Sequence, residues 1–233
     1  ISYTQTGNAE YTSLKSKMTG KEKDFLDVWS IAWFNGKVYF STYVEIFSWD
    51  GKLLNTFNSK RSISSLANAN GKLIVAFSDG NPEIFDGTKL IPFITNNILS
   101  NAERITLCPK SDGGLFLFTK NGAMYEVING KVSAVRDDLP ILKNGGSVYD
   151  VKQLSNGLIA LATVTMGVII IDEEGTIIQS LNEETGLGNN VAYSIYEDRQ
   201  KNLWITLEEG LARININSPI SIFDRRFKLF GAL

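Results

Sequence analysis

The sequence predicts an all-β fold, a β-propeller of four-stranded antiparallel blades, on three observations. Short alternating apolar segments are separated by Asn-Gly, Asp-Gly and similar turn pairs. These hairpin units recur: Gly36, Gly71, Gly114, Gly157 and Asn202, one per unit, stand 35, 43, 43 and 45 residues apart. A period of about 40 to 50 residues with four strands per unit is the signature of propeller blades. No stretch carries a capped helical period, so a helical solenoid competes poorly.

Taken in order, residues 1–26 read as a partial repeat, with aromatic-bearing segments at 1–3 and 11–14 and a polar connector at 15–24. The first full unit, 27–57, places strands at 28–33, 38–42, 45–49 and 52–57, with turns at Asn35-Gly36 and Asp50-Gly51. Units at 62–93, 103–135 and 147–181 repeat the scheme. Their reversals fall at Asn70-Gly71 and Asp86-Gly87, at Asn121-Gly122 and Asn129-Gly130, and at Asn156-Gly157 and Met166-Gly167. The fifth unit, 190–223, is the sharpest: strands at 191–196, 203–206 and 211–216, a polar turn at 198–202, and a Glu208-Glu209-Gly210 reversal.

One four-stranded blade has two apolar faces and cannot bury both alone, whereas stacking blade on blade does so. Residues 1–233 are therefore expected to form a single propeller segment. Residues 218–223 read as an outer strand and 227–233 as a connector into a further unit, which points to part of a larger propeller. Standing alone, such a segment is expected to hide its terminal faces by self-association, as a homodimer, or in an incomplete ring. A first residue of Ile rather than Met is expected of a processed or excised piece.

Composition narrows the function. A hydrophobic share of 43% and a charged share of 21% describe an ordinary globular chain. With 23 Lys and Arg against 25 Asp and Glu, and no basic block, nucleic acid is not expected as a partner. The longest apolar runs are far too short to span a bilayer. Cys108 is the only cysteine, so no intramolecular disulfide forms and the redox compartment stays open. There is no histidine, which excludes Ser-His-Asp and Cys-His catalysis and any His-ligated metal.

The stretch Gly186-Leu187, Asn190, Ala192 to Ile195, Glu197-Asp198, Leu203-Trp204-Ile205-Thr206 and Gly210-Leu211 resembles the two-component regulator propeller repeat. It departs from that pattern where Ala192 replaces Val and where Lys201-Asn202 replaces Gly-Asn. Phe25 to Ile31, with Val38 to Thr42 and Ile46 to Trp49, also resembles the extracytoplasmic sensor propellers of bacterial hybrid two-component or triple-tyrosine and helix-turn-helix regulators. The resemblance implies a periplasmic, non-catalytic input domain of a membrane-anchored inner-membrane protein. Its ligand would be a small molecule or an oligosaccharide. Trp204 falls in the repeat consensus and is expected in the core.

Candidate site residues follow from register. Trp29, Tyr149 and Tyr193 fall two positions before the anchoring Ile31, Val151 and Ile195 of the innermost strands, with Ser64 and Ile105 in the equivalent places. Next comes a polar row of Ser30, Ser65, Thr106, Asp150 and Ser194. Innermost strands surround the central channel, so these rows either line a ligand site at one mouth, with Trp29, Tyr149, Asp150 and Tyr193 as its contacts, or tie blade to blade. Arg61 and Arg104, near strand starts, can meet an anionic ligand.

The pairs Glu197-Asp198, Asp137-Asp138, Glu173-Glu174 and Glu208-Glu209 lie in turns, where adjacent acids point apart and read as solvated turn residues. A carbohydrate lyase or hydrolase needs acids from different blades facing one cleft. A protein-interaction scaffold is the remaining alternative. Asp172 to Gly175 lacks the alternating acids of a calcium loop, and Cys108 without a base reads as a packed residue. No metal and no cofactor are expected.

Overall fold

The computed structural model describes residues 2–3, 9–10, 13–18, 27–94, 96, 98–99, 102–142 and 146–216. Strands β1 (Ser2–Tyr3) and β2 (Ala9–Glu10) form a short antiparallel pair, followed by a single 3-10 turn at Leu14–Lys17. The first large sheet is β3 (Ser30–Phe34), β4 (Lys37–Ser41), β5 (Glu45–Trp49) and β6 (Leu54–Asn58). The second is β7 (Ile63–Ala69), β8 (Lys72–Phe77), β9 (Glu83–Phe85) and β10 (Leu90–Pro92). The third is β11 (Thr106–Pro109), β12 (Leu115–Phe118), β13 (Met124–Ile128) and β14 (Lys131–Arg136).

The fourth comprises β15 (Val148–Gln153), β16 (Ile159–Thr163), β17 (Val168–Ile171) and β18 (Ile177–Leu181). The fifth holds β19 (Ala192–Glu197), β20 (Leu203–Leu207) and β21 (Leu211–Ile214). Every sheet is an antiparallel meander in chain order, and the five are the blades of a β-propeller. The outer strand expected at 218–223 and the connector at 227–233 lie outside the described residues, as do most residues of the connector expected at 15–24.

Turn chemistry explains the hairpins. Asn35 and Gly36 both take positive φ, 46° and 73°, as do Asn70 and Gly71, 49° and 65°. Two successive left-handed residues make the mirror-image turn whose twist matches the flanking strands, and Asn-Gly reaches it at least cost.

The core lies between the blades. Leu66, Leu73, Val75 and Phe77 of the second blade pack on Ala32, Tyr39 and Ile46 of the first, while Ile74 and Ala76, on the opposite face, pack on Leu107, Leu115 and Leu117 of the third. The alternation of β8, buried on both faces, is therefore a division of labour between two interfaces. Cys108, fully buried, sits with Phe116, Phe118 and Leu161 between the third and fourth blades, and burial pushes its thiol up to about 12. It is a packed residue, not a nucleophile.

Backbone bonds stitch each blade to the next near the inner strands: Ile63 N–H to Tyr43 O at 2.7 Å, Ile105 N–H to Phe77 O at 3.4 Å, Val148 N–H to Lys120 O at 3.0 Å. Lys110, whose side chain is 8% exposed, adds a charged tie. Its Nζ lies 2.7 Å from Glu126, 3.3 Å from Glu173 of the fourth blade and 3.5 Å from Asp112. Burial alone would lower the ammonium's pKa, but the hydrogen bonds to Glu126 and Glu173 outweigh it and hold it above the ordinary lysine value.

Candidate functional site

The innermost strands carry a shared irregularity. In β7, β15 and β19 the register slips by one residue, between Ile63 and Ser65, Val148 and Asp150, and Ala192 and Ser194. The unpaired residue is Ser64, Tyr149 or Tyr193. A bulge leaves one side chain outside the alternation and re-aims it. Here it turns Tyr149 and Tyr193 into the channel, where their rings meet edge to face at 5.4 Å. Trp29, just before β3, donates its backbone N–H to Ser41 O at 2.8 Å, and its ring lies 6.3 Å from that of Tyr149.

These rings line one cavity of ≈ 590 Å³ that touches the inner strands of all five blades. Trp29 is 45% exposed and Tyr193 39%, so flat aromatic surface faces the opening. Arg104 joins them: its guanidinium carbon lies 4.1 Å from the Tyr149 ring centroid and 5.9 Å from that of Trp29, within cation–π range. Arg104 takes φ 47°, and its N–H donates to Ser78 O at 3.0 Å, so backbone pairing to the second blade holds it in the left-handed region.

The polar row behind the rings ties blade to blade. Ser30 Oγ accepts from Leu66 N–H and Ser65 Oγ from Leu107 N–H, each at 3.3 Å. Asp150 extends the device: Oδ2 accepts from Ile195 N–H and from Ser194 Oγ, both at 2.9 Å, and Oδ1 from Val151 N–H at 2.9 Å. Burial raises the Asp150 carboxyl above its usual range despite these donors. Trp29, Tyr149, Asp150 and Tyr193 are thus brought together in one cavity, with Asp150 turned into the joint between the fourth and fifth blades.

Of the turn acids, Glu197 ties its blade to the fourth, and Asp172 and Asp198 hold their own turns. Glu197 accepts from Ser155 N–H and Oγ, both at 2.8 Å, and Asp172 accepts from Glu174 and Thr176 N–H. Asp198 accepts from Trp204 Nε1 at 2.9 Å and from Asn202 N–H and Nδ2. Burial would raise the Asp198 carboxyl, but the Trp204 indole and Asn202 outweigh it and hold it at about 2. Trp204 itself is half-buried rather than in the core, because the face of β20 that bears it points away from the fourth blade. Among the described residues no group of three or more His, Cys, Asp or Glu is placed to hold a metal.

The same turn lies within a stretch that matches a known family. Residues 186–208, which contain it, match the model for the two-component regulator propeller. That stretch is similar to a two-component regulator propeller repeat. No curated protein matches the chain.

Among solved structures, the repeat-bearing chain is similar to the extracellular domain of BT4673 from B. thetaiotaomicron, a protein assigned as a hybrid two-component system. The TM-score is 0.65 at 15% identity, over 82% of this chain and 28% of that one. The extracellular domain of BT3049 from the same organism matches at TM-score 0.59 and 17% identity, over 79% and 26%. A catalytically inactive histidine-to-alanine variant of virginiamycin B lyase from Staphylococcus aureus, with quinupristin, matches at TM-score 0.61 and 15% identity, over 82% and 70%. The chain thus spans little more than a quarter of the two-component neighbours, and the likeness is one of fold.

Proposed function

We propose that this propeller is a ligand-binding, non-catalytic input domain of a bacterial signal-transduction regulator, standing outside the cytoplasm. The observation that carries the reading is the convergence of Trp29, Tyr149 and Tyr193 on one cavity touched by all five blades, in a chain that bears a regulator-propeller repeat. Rigid blades with interlocked inner strands hold such a mouth without rearrangement, which favours recognition over reshaping. The likeness to extracellular domains of BT4673 and BT3049 supports the location.

A lyase reading finds less support. The virginiamycin B lyase in the comparison is inactivated by losing a histidine, and this chain contains none. Glu197 and Asp198, the acid pair of the fifth blade, are engaged by Ser155 and by the Trp204 indole.

The test is a thermal-shift screen of the domain against sugars, oligosaccharide fragments and small metabolites, with product analysis of every hit. A ligand at a hundredfold excess over its Kd stabilises by about 2.7 kcal/mol. The reading expects a stabilising ligand, recovered unchanged, whose effect disappears in Trp29→Ala. Turnover of the ligand, or a binding site confined to the outer strands, refutes it.

A further inference from the structure

Arg104 differs from the cations that are paired with carboxylates. Arg61 pairs with Glu83 at 2.9 Å and Asp79 at 3.5 Å, Lys110 with three carboxylates, and Arg213 approaches Asp198 at 3.9 Å. Among the described residues Arg104 has no carboxylate partner; what it touches are the ring faces of Tyr149 and Trp29. Asp150, the acid lining the same cavity, has its oxygens engaged by Val151, Ser194 and Ile195.

A guanidinium stacked on rings keeps its N–H donors in its own plane, and that edge accepts a carboxylate through two parallel hydrogen bonds. The exposed faces of Trp29 and Tyr193 lie in the same cavity and offer flat apolar surface to a ring.

We propose that the channel mouth binds a carboxylate-bearing ring compound, its carboxylate held by Arg104 and its ring against Trp29 and Tyr193. The inference rests on the sensor reading and deepens it by naming the ligand's charge and shape. A ring acid can be a sugar acid or an aromatic acid, and paired probes separate the two: glucuronate against glucose, and benzoate against benzyl alcohol. Each is titrated into the domain by calorimetry and by NMR of the tryptophan indole signals.

The expected result is that at least one acid binds at least tenfold more tightly than its neutral partner, weakens as salt is raised, and loses at least tenfold in Arg104→Gln. Arg104→Lys, which keeps the charge but not the fork, should lose most of the same affinity. The acid and neutral comparison on the unaltered protein needs no variant, so a folding defect in Arg104→Gln does not blunt it.

Equal binding of acid and neutral partner, or no binding of either acid, overturns the inference. If neutral rings bind and only Trp29→Ala abolishes them, the anion assignment fails while the sensor mouth stands. If ligands bind and Trp29→Ala leaves them unaffected, both fail.

Discussion

Replacing Asp150 separates its two candidate roles, ligand contact and blade-to-blade tie. In Asp150→Ala the Ile195 N–H and the Ser194 hydroxyl lose the acceptor they share at 2.9 Å, and the half-buried amide is left without a partner. Charge-assisted hydrogen bonds contribute roughly 1.5 to 3 kcal/mol each, and losing the buried carboxylate returns part of that by removing its desolvation cost. The net loss is about 2 kcal/mol. Asp150→Ser should cost far less, because serine in the same row, at Ser30 and Ser65, accepts the equivalent N–H of the next blade.

Both variants are compared with the parent by urea unfolding at pH 7, and parent with Asp150→Ser from pH 4 to 8. The folded carboxyl is raised, so the folded state holds the proton more tightly than the unfolded chain. The parent should therefore lose ground to Asp150→Ser as pH rises from the ordinary aspartate value through the raised one, and regain it as pH falls. Other groups, the depressed Asp198 included, are common to both proteins and cancel in the difference. An alanine variant within 0.5 kcal/mol of the parent, or a serine variant as unstable as alanine, refutes the tie.

Three further outcomes follow from local geometry. Lys110→Met strands Glu126 and Glu173 around a buried apolar chain and should cost about 2 kcal/mol in chemical denaturation, with Glu126→Gln recovering part of it in the double variant. Lys201 holds φ 65°, the left-handed region, at the place where the regulator repeat has glycine, so Lys201→Gly should raise stability by about 1 kcal/mol in the same assay. Cys108, buried and with its thiol pushed up to about 12, should react with iodoacetamide only through unfolding, so labelling should follow the global opening rate; faster labelling would show a local breach between the third and fourth blades.

The blades were legible because their determinants are local. Asn35-Gly36 and Asn70-Gly71 announce turns that only left-handed residues make, and apolar alternation between turns fixes which side chains point together. The aromatic row was legible as a register, at Trp29, Tyr149 and Tyr193. Its aim into the channel was not, because a one-residue bulge is written in how two strands pair rather than in either strand's composition. Asp150 was read as a ligand contact or a blade tie, and its sequence signal, a polar residue in a row of serines, is the same for both. Arg104 had no more signal than any arginine near a strand start, since its meaning comes from rings roughly 45 and 75 residues away in the chain that the fold brings to within 6 Å.

Burial at the ends of the array shows the same limit most sharply. Leu66, Leu107, Val151 and Ile195 occupy one position of the inner strands and are 4% to 6% exposed, each pressed on the preceding blade. Ile31 occupies that position in the first blade and is 66% exposed, with Trp33 beside it at 64%. On the far side, Tyr196 and Leu211 of the fifth blade are as open, at 62% and 60%. Nothing in the residue types separates Ile31 from Leu66. Apolarity belongs to the residue and can be read from the chain, whereas burial belongs to the neighbouring sheet, and a repeat specifies the face it presents without specifying what meets it. Two such faces, a leading one with Ile31 and Trp33 and a trailing one with Tyr196 and Leu211, are complementary in kind: every internal joint of this propeller is made from one face of each sort.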